Sequence, residues 1–160
     1  FSEITLLDQT WVIDGESKVS KIIKDLEKEY MKLDSKLLDT LSQKLDQEKL
    51  SPETSHRLPI KLAQEIHRMR KRMLTMEESH ETKVLKRRID ELESEIMDMG
   101  YEIVKLENTS YSEGMKIKAS FILDPELKSD ESVIRRVIRP QVKYDSKIIE
   151  YGEVEVAQGE

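Results

Sequence analysis

Three histidines, His56, His67 and His80, are the side chains best suited to bind a metal or move a proton at neutral pH, and their spacing suits neither task. A helical metal site needs a second ligand three or four residues away, and these intervals are eleven and thirteen. His80 falls on an apolar helical seam with His67 beside it, where a packed or interface histidine would make an assembly sensitive to pH. The chain has no Cys, so thiolate nucleophiles, disulfides and Cys-based metal sites are excluded. Gly15, Gly100, Gly114, Gly152 and Gly159 stand alone, so no glycine-rich loop can cradle a phosphate. The carboxylates are numerous but lie along solvated helices rather than as a paired acid and base. The expectation is a protein that is not an enzyme, with no catalytic residue, cofactor or metal.

Recognition chemistry is left. Arg68 to Arg72, Lys86-Arg87-Arg88, and Arg135-Arg136 with Arg139 are basic clusters without the interleaved aromatics on which bases stack. The net charge is -6, so no global positive field holds nucleic acid or an anionic membrane. These clusters read as solvated or partner-facing surface. Met69, Met73 and Met76 at helical spacing read as core or dimer seam, with an adaptable docking surface as the other use of such a stripe. Asn108-Thr109-Ser110 matches a glycosylation acceptor, but nothing else marks a secreted protein.

The elements that carry these residues follow from composition and period. Among 160 residues, 38% are charged and only 5% aromatic, which favours long helices over a large compact core. No apolar run approaches the ~20 residues that span a bilayer. Together with the lack of Cys this leads to an expected cytoplasmic location, although the chain begins at Phe1 rather than Met and an upstream signal or anchor stays open.

The fold class expected is α+β: a long antiparallel helical hairpin or coiled coil followed by a small antiparallel β domain. Residues 1–15 read as an arm or short strand, with Trp11 as packing anchor and Asp14-Gly15 as a turn. Residues 16–100 read as a helical dimerisation region. Its first helix carries Val19, Ile23, Leu26, Tyr30, Leu33 and Leu37 in a seven-residue repeat, and the stripe then slips to Leu38, Leu41 and Leu45. Ser51-Pro52-Glu53 is a helix-start signature, and Pro59 either kinks that short turn or opens the second long helix. Leu62, Ile66, Met69, Met73, Met76 and His80 form one block of that helix, with Leu85, Ile89, Leu92, Ile96 and Met99 as a second block out of phase. Gly100 ends it. Residues 59–76 hold five bases against one acid and residues 77–99 four against eight, which opposes the macrodipole of a single helix. Neighbouring helices or partners are expected to compensate. Two narrow seams call for a partner, most simply a second copy, so Leu26, Leu33, Leu62, Ile66, Met69, Met73, Ile89, Leu92 and Ile96 are assigned to the helix or dimer seam.

Residues 101–160 change to period two. Tyr101 to Glu107 reads as a strand, and Met115, Ile117, Ala119, Phe121 and Leu123 form one face of another, with Lys116, Lys118 and Ser120 opposite. Val133 to Tyr144 and Lys147 to Val156 read as strands joined at Asp145-Ser146, with Pro140 marking an edge or bulge.

An amphipathic helix ending in Met99-Gly100-Tyr101-Glu102-Ile103-Val104, a loop with an aromatic, an alternating strand and a hairpin closing in Glu153-Val154-Glu155-Val156 resembles the GrpE family. These are the nucleotide exchange factors of DnaK-type chaperones. The similarity is densest from Ile96 to Val156, where Val137-Ile138, Asp145-Ser146, Lys147, Ile148-Ile149, Val154 and Val156 are similar in kind and spacing to the family's last hairpin. This chain departs from the family in three places. Glu150-Tyr151-Gly152 stands where Arg-Pro-Ala is usual, with an Arg-Pro pair earlier at Arg139-Pro140. Gln141-Val142 replaces a Gly-Tyr, and the first helix reads as short where GrpE proteins commonly carry the longest first. The resemblance implies a homodimer paired through its helices, whose β domain wedges open the ATPase domain of a DnaK-type chaperone or a related ATPase. It implies partner contacts on the β domain, for which Tyr111, Met115, Arg139, Asp145 and Lys147 are the candidates. A coiled-coil scaffold, or an adaptor using a GrpE-like fold for another partner, is the alternative.

Overall fold

The computed structural model describes residues 2–49 and 55–160, with side chains from Lys18 onward. It is α+β: three helices, α1 (Ser2–Lys49), α2 (Arg57–Met73) and α3 (His80–Asp98), then six strands, β1 (Tyr101–Val104), β2 (Ile117–Leu123), β3 (Ser132–Arg139), β4 (Gln141–Tyr144), β5 (Lys147–Glu150) and β6 (Gly152–Gln158).

Two expectations about the helices are corrected. Residues 2–15 are neither arm nor strand but the first turns of α1, which runs through Asp14-Gly15. A mid-helix Gly costs about 1 kcal/mol relative to Ala, too little to stop a helix flanked on both sides by helix formers. The side chain of Trp11 lies outside the described residues, as does Ser51-Pro52-Glu53. The expected second long helix is two helices. It breaks between Met73 and His80, where Ser79 caps α3 by accepting from the Thr82 backbone N–H while the Thr82 hydroxyl accepts from the Ser79 N–H. The change of phase between the two apolar blocks was therefore a change of helix. Pro59 sits in the first turn of α2, where a missing N–H leaves no bond unmade.

The break also relieves part of the charge conflict. Arg70, Lys71 and Arg72 occupy the last turn of α2 and Glu81 the first turn of α3, ends that their charges favour. Asp90, Glu91, Glu93, Glu95 and Asp98 still crowd the C-terminal half of α3, which has no base in its last turn. Arg70 crosses to Asp90 at 2.8 Å and pairs with Glu93, and His56, just before α2, meets Tyr101, just after α3, so α2 runs antiparallel to α3. Arg88 meets Asp39, and Lys49 meets Glu95 at 3.3 Å, so α1 runs parallel to α3. The result is an up-down-up bundle around Leu38, Leu41, Leu45, Leu62, Ile66, Met69, Leu85, Ile89, Leu92 and Ile96.

One charge is inside this packing. Asp34, 3% exposed, accepts from Arg68 Nη2 at 3.0 Å and from Arg72 Nη1 at 3.2 and 3.3 Å. Arg72 also lies over the Tyr30 ring, 4.5 Å from its centre. A buried carboxylate is costly to desolvate, and two guanidinium groups satisfy it only in one register. That register fixes how far α2 lies along α1.

The strands form two three-stranded sheets rather than one antiparallel domain, in the orders β1-β4-β5 and β2-β6-β3. One pair, β2 with β6, is parallel, a correction to the all-antiparallel expectation. Pro140 cannot donate to a ladder, so the expected strand 133–144 divides there between the two sheets. The expected strand 147–156 divides at Tyr151 into β5 and β6, and at Gly152, which opens β6, a Cβ would stand 3.2 Å from the Gln141 Cβ and 3.3 Å from its backbone N. Tyr101 and Val142 of the first sheet belong to the bundle's core. The second sheet has its own, built from Leu106, Ile134, Val137, Val154 and Val156.

Asp145 and Ser146 close the β4–β5 hairpin with φ of 47° and 67°, a two-residue loop with both residues left-handed. Ser carries a Cβ that disfavours this region by about 1–2 kcal/mol, partly offset by the extra unfolded-chain entropy Gly would bring. Ser146→Gly is therefore expected to stabilise the protein by about 0.5–1 kcal/mol. Thermal and denaturant unfolding check it, with a higher midpoint expected at unchanged denaturant slope.

Candidate partner-binding surface

The five residues assigned to partner binding divide between the two sheets. Tyr111 and Met115 lie half-buried against the core of the β2-β6-β3 sheet, and Tyr111 stacks edge-on with Phe121, ring centres 5.5 Å apart. They act first as packing. Arg139 ends β3 on the exposed face of the same sheet, with its Nε 3.7 Å from Glu153. Asp145 and Lys147 are exposed at the β4–β5 turn of the other sheet, where the Asp145 N–H donates to the Gly100 carbonyl at 3.1 Å. The structure thus joins Arg139 to one charged face and Asp145 with Lys147 to another.

The face that holds Arg139 is an ordered array. The registers place Lys118, Glu153 and Arg139 in one row across β2, β6 and β3, with Ser120, Glu155 and Arg136 in the next. Arg136 pairs with Glu155 at 3.6 Å and Arg135 with Asp124 at 2.9 Å. Surface pairs of this kind contribute little to stability, so the array is free to exchange internal partners for external ones. The same sheet leaves apolar side chains exposed: Phe121 and Leu123 on the face opposite Lys118, Ile122 at the end of β2, Ile138 on β3 and Tyr151 before β6. Sequence reading placed Phe121 and Leu123 on the strand's apolar face, where the end of a short sheet leaves them uncovered.

A second exposed surface lies on α1. Of the nine residues assigned to the seam, Leu62, Ile66, Met69, Ile89, Leu92 and Ile96 are buried within the single chain, and Met73 packs half-buried against them. Leu26 and Leu33 are 51% and 58% exposed, in line with Val19, Ile23 and Tyr30. Among the described residues Val19, Ile23, Leu26 and Leu33 of the seven-residue repeat thus lack intramolecular cover, whereas Arg72 lies over the Tyr30 ring and Met31, Leu37 and Leu38 belong to the packing of the bundle.

Two of the histidines serve the joints, while His80 is not on a packed seam but exposed at the first position of α3. His56 Nδ1 lies 2.7 Å from the Tyr101 hydroxyl, and its ring packs against Tyr144, centres 4.6 Å apart. His67 Nε2 donates to the Val137 carbonyl at 2.8 Å, and Lys71 Nζ donates to the same oxygen at 2.5 Å, which ties α2 to β3. Sequence spacing could not show these contacts, because each partner is forty or more residues away. Among the described residues no group of three or more His, Asp or Glu is placed to hold a metal ion, and no helix is long and apolar enough to cross a membrane.

Burial holds the His67 pKa below the usual histidine value, and the Lys71 charge adds to this; the bond to Val137 and the Glu107 charge oppose both. The unfolded chain thus takes up a proton at His67 before the folded one does. Stability from this joint is full above about pH 6.5 and falls as pH drops from there toward the lower folded value. His67→Gln is expected to flatten that part of the stability–pH curve, which denaturant melts between pH 7.5 and 5 would read. No protein-family model matches this chain and no curated protein matches it, which leaves its own surfaces as the basis for a function.

Proposed function

We propose that this protein is a GrpE-like co-chaperone: a homodimer, acting in the cytoplasm, that binds the ATPase domain of a DnaK-type chaperone and promotes ADP release without chemistry of its own. The observation that carries the reading is the order of elements. The longest helix comes first, with an uncovered heptad seam, and leads through a short bundle into a small β unit. A longest first helix is the family's common arrangement, so one departure read from the sequence is removed.

The physical logic is linkage. A rigid β unit held at the end of a bundle binds the open form of a two-lobed ATPase better than the closed form. Nucleotide prefers the closed form, so each ligand weakens the other by the same factor. Arg139, Asp145 and Lys147 are the contacts proposed for the ATPase, with Tyr111 and Met115 supporting the sheet beneath. The α1 stripe supplies the dimer contact, since five apolar side chains at heptad spacing gain about 1 kcal/mol each when their exposed halves are covered. That stripe equally favours a second reading, a coiled-coil scaffold or an adaptor for another ATPase, which needs the dimer and no nucleotide effect.

Two experiments separate these. At micromolar concentration the protein should accelerate release of a fluorescent ADP from the DnaK-type chaperone of the same organism. Arg139→Glu and Lys147→Glu should each reduce that acceleration several-fold while circular dichroism is unchanged. Absence of any acceleration by the intact protein would remove the exchange reading and favour the scaffold. Sedimentation equilibrium should give the mass of a dimer, with the double variant Leu26→Lys and Leu33→Lys monomeric and still helical. A wild-type monomer would defeat both readings.

A further inference from the structure

The two edges of the β2-β6-β3 sheet are finished differently. Along β3 the register slips twice, between Ile134 and Arg136 and between Val137 and Arg139, and the loop bridges its outer side through Ser110 and Val133. Bulges and bridges of this kind block the addition of a strand. The β2 edge has neither. Its seven residues keep unbroken register with β6, contain no Pro or Gly, and pair with no strand on the outer side among the described residues.

The charges differ in the same way. On the β3 side Arg136 and Arg139 are each paired with a β6 glutamate. On the β2 side Lys116 and Lys118 are exposed and form no ion pair among the described residues, while Phe121 and Leu123 on the opposite face are 49% and 69% exposed. What β2 accepts is visible on its inner edge. There β6 sets Glu153 against Lys118, Val154 against Ala119, Glu155 against Ser120 and Val156 against Phe121. The outer edge offers a strand the same alternation: cations on one face, uncovered apolar side chains on the other.

We propose that the outer edge of β2 is a docking site for an extended segment of a partner protein in which acidic and aliphatic residues alternate, added as a fourth strand. Main-chain bonds to the free edge supply affinity, and the side-chain alternation supplies register and choice. Acids of the segment face Lys116 and Lys118, and its aliphatic residues cover Phe121 and Leu123. The site is independent of the exchange reading, because it uses none of Arg139, Asp145 or Lys147.

The test is titration of the intact protein with a capped six-residue peptide of alternating Glu and Val, followed by amide NMR and by fluorescence anisotropy of a labelled copy. Saturable binding is expected, with the largest amide changes from Lys116 to Leu123 and slowed hydrogen exchange along β2. A peptide with Lys in place of Glu, and one with three Glu followed by three Val, should bind at least tenfold more weakly. Lys118→Glu should weaken the alternating peptide several-fold without altering the spectrum elsewhere in the sheet. Equal binding of all three peptides, or amide changes centred outside β2, would overturn the proposal. So would intermolecular contacts between two β2 strands in the free protein, which would make a second copy the occupant.

Discussion

The bundle does not close its own end, and much of the architecture depends on what closes it. Tyr101 and Val142 are 3% and 0% exposed and lie in the same core as the helical leucines, so the first sheet is the floor of the bundle rather than a separate unit. Gly100 makes this possible. Its φ of +97° ends α3 with the chain turning directly into β1, and a Cβ there would lie 3.0 Å from the Asp145 carboxylate and 3.2 Å from the Tyr144 ring. The turn, the hairpin tip and the aromatic floor therefore meet at one glycine. His56, Tyr101 and Tyr144 complete the joint by packing as a three-ring cluster.

A rigid floor has a consequence for the second sheet. It is carried by the first through the short Pro140 and Tyr151 connections, by the Gln141 side chain donating to the Lys116 carbonyl at 3.2 Å, and by His67 and Lys71 on the Val137 oxygen. The side-chain links are polar and directional, whereas the buried cluster of the sheet's apolar core holds five residues. Such a layer keeps a defined orientation with little apolar surface of its own. Its outer face and its β2 edge are left uncovered among the described residues.

The helical half divides the same way. Near its C-terminal end α1 is covered by α2 and α3, and Asp34 with its two arginines marks where cover begins. N-terminal of that point Val19, Ile23, Leu26 and Leu33 are open, with Tyr30 partly covered by Arg72. One continuous helix thus carries an intramolecular core toward one end and an exposed apolar stripe N-terminal of it, and the change from heptad to shifted stripe at Leu37 and Leu38 falls within the covered part.

The sequence alone was sufficient for the α+β class, the helix-to-strand change at Gly100, the β2 alternation and the 145–146 turn, because each depends on local period or on residues with special backbone preferences. It misjudged the helix count and the helix lengths, since a phase shift within a periodic run has the same local signature whether the helix drifts or breaks. The seam assignment carried a related ambiguity: apolar periodicity shows that a face must be covered, and cannot say by which chain. Tertiary structure decided that Leu62, Ile66 and Ile96 are covered from within and Leu26 and Leu33 are not. It also decided the parallel β2–β6 pairing, the burial of Asp34 and the roles of His56 and His67. These depend on contacts between residues far apart in the chain, which local pattern does not encode.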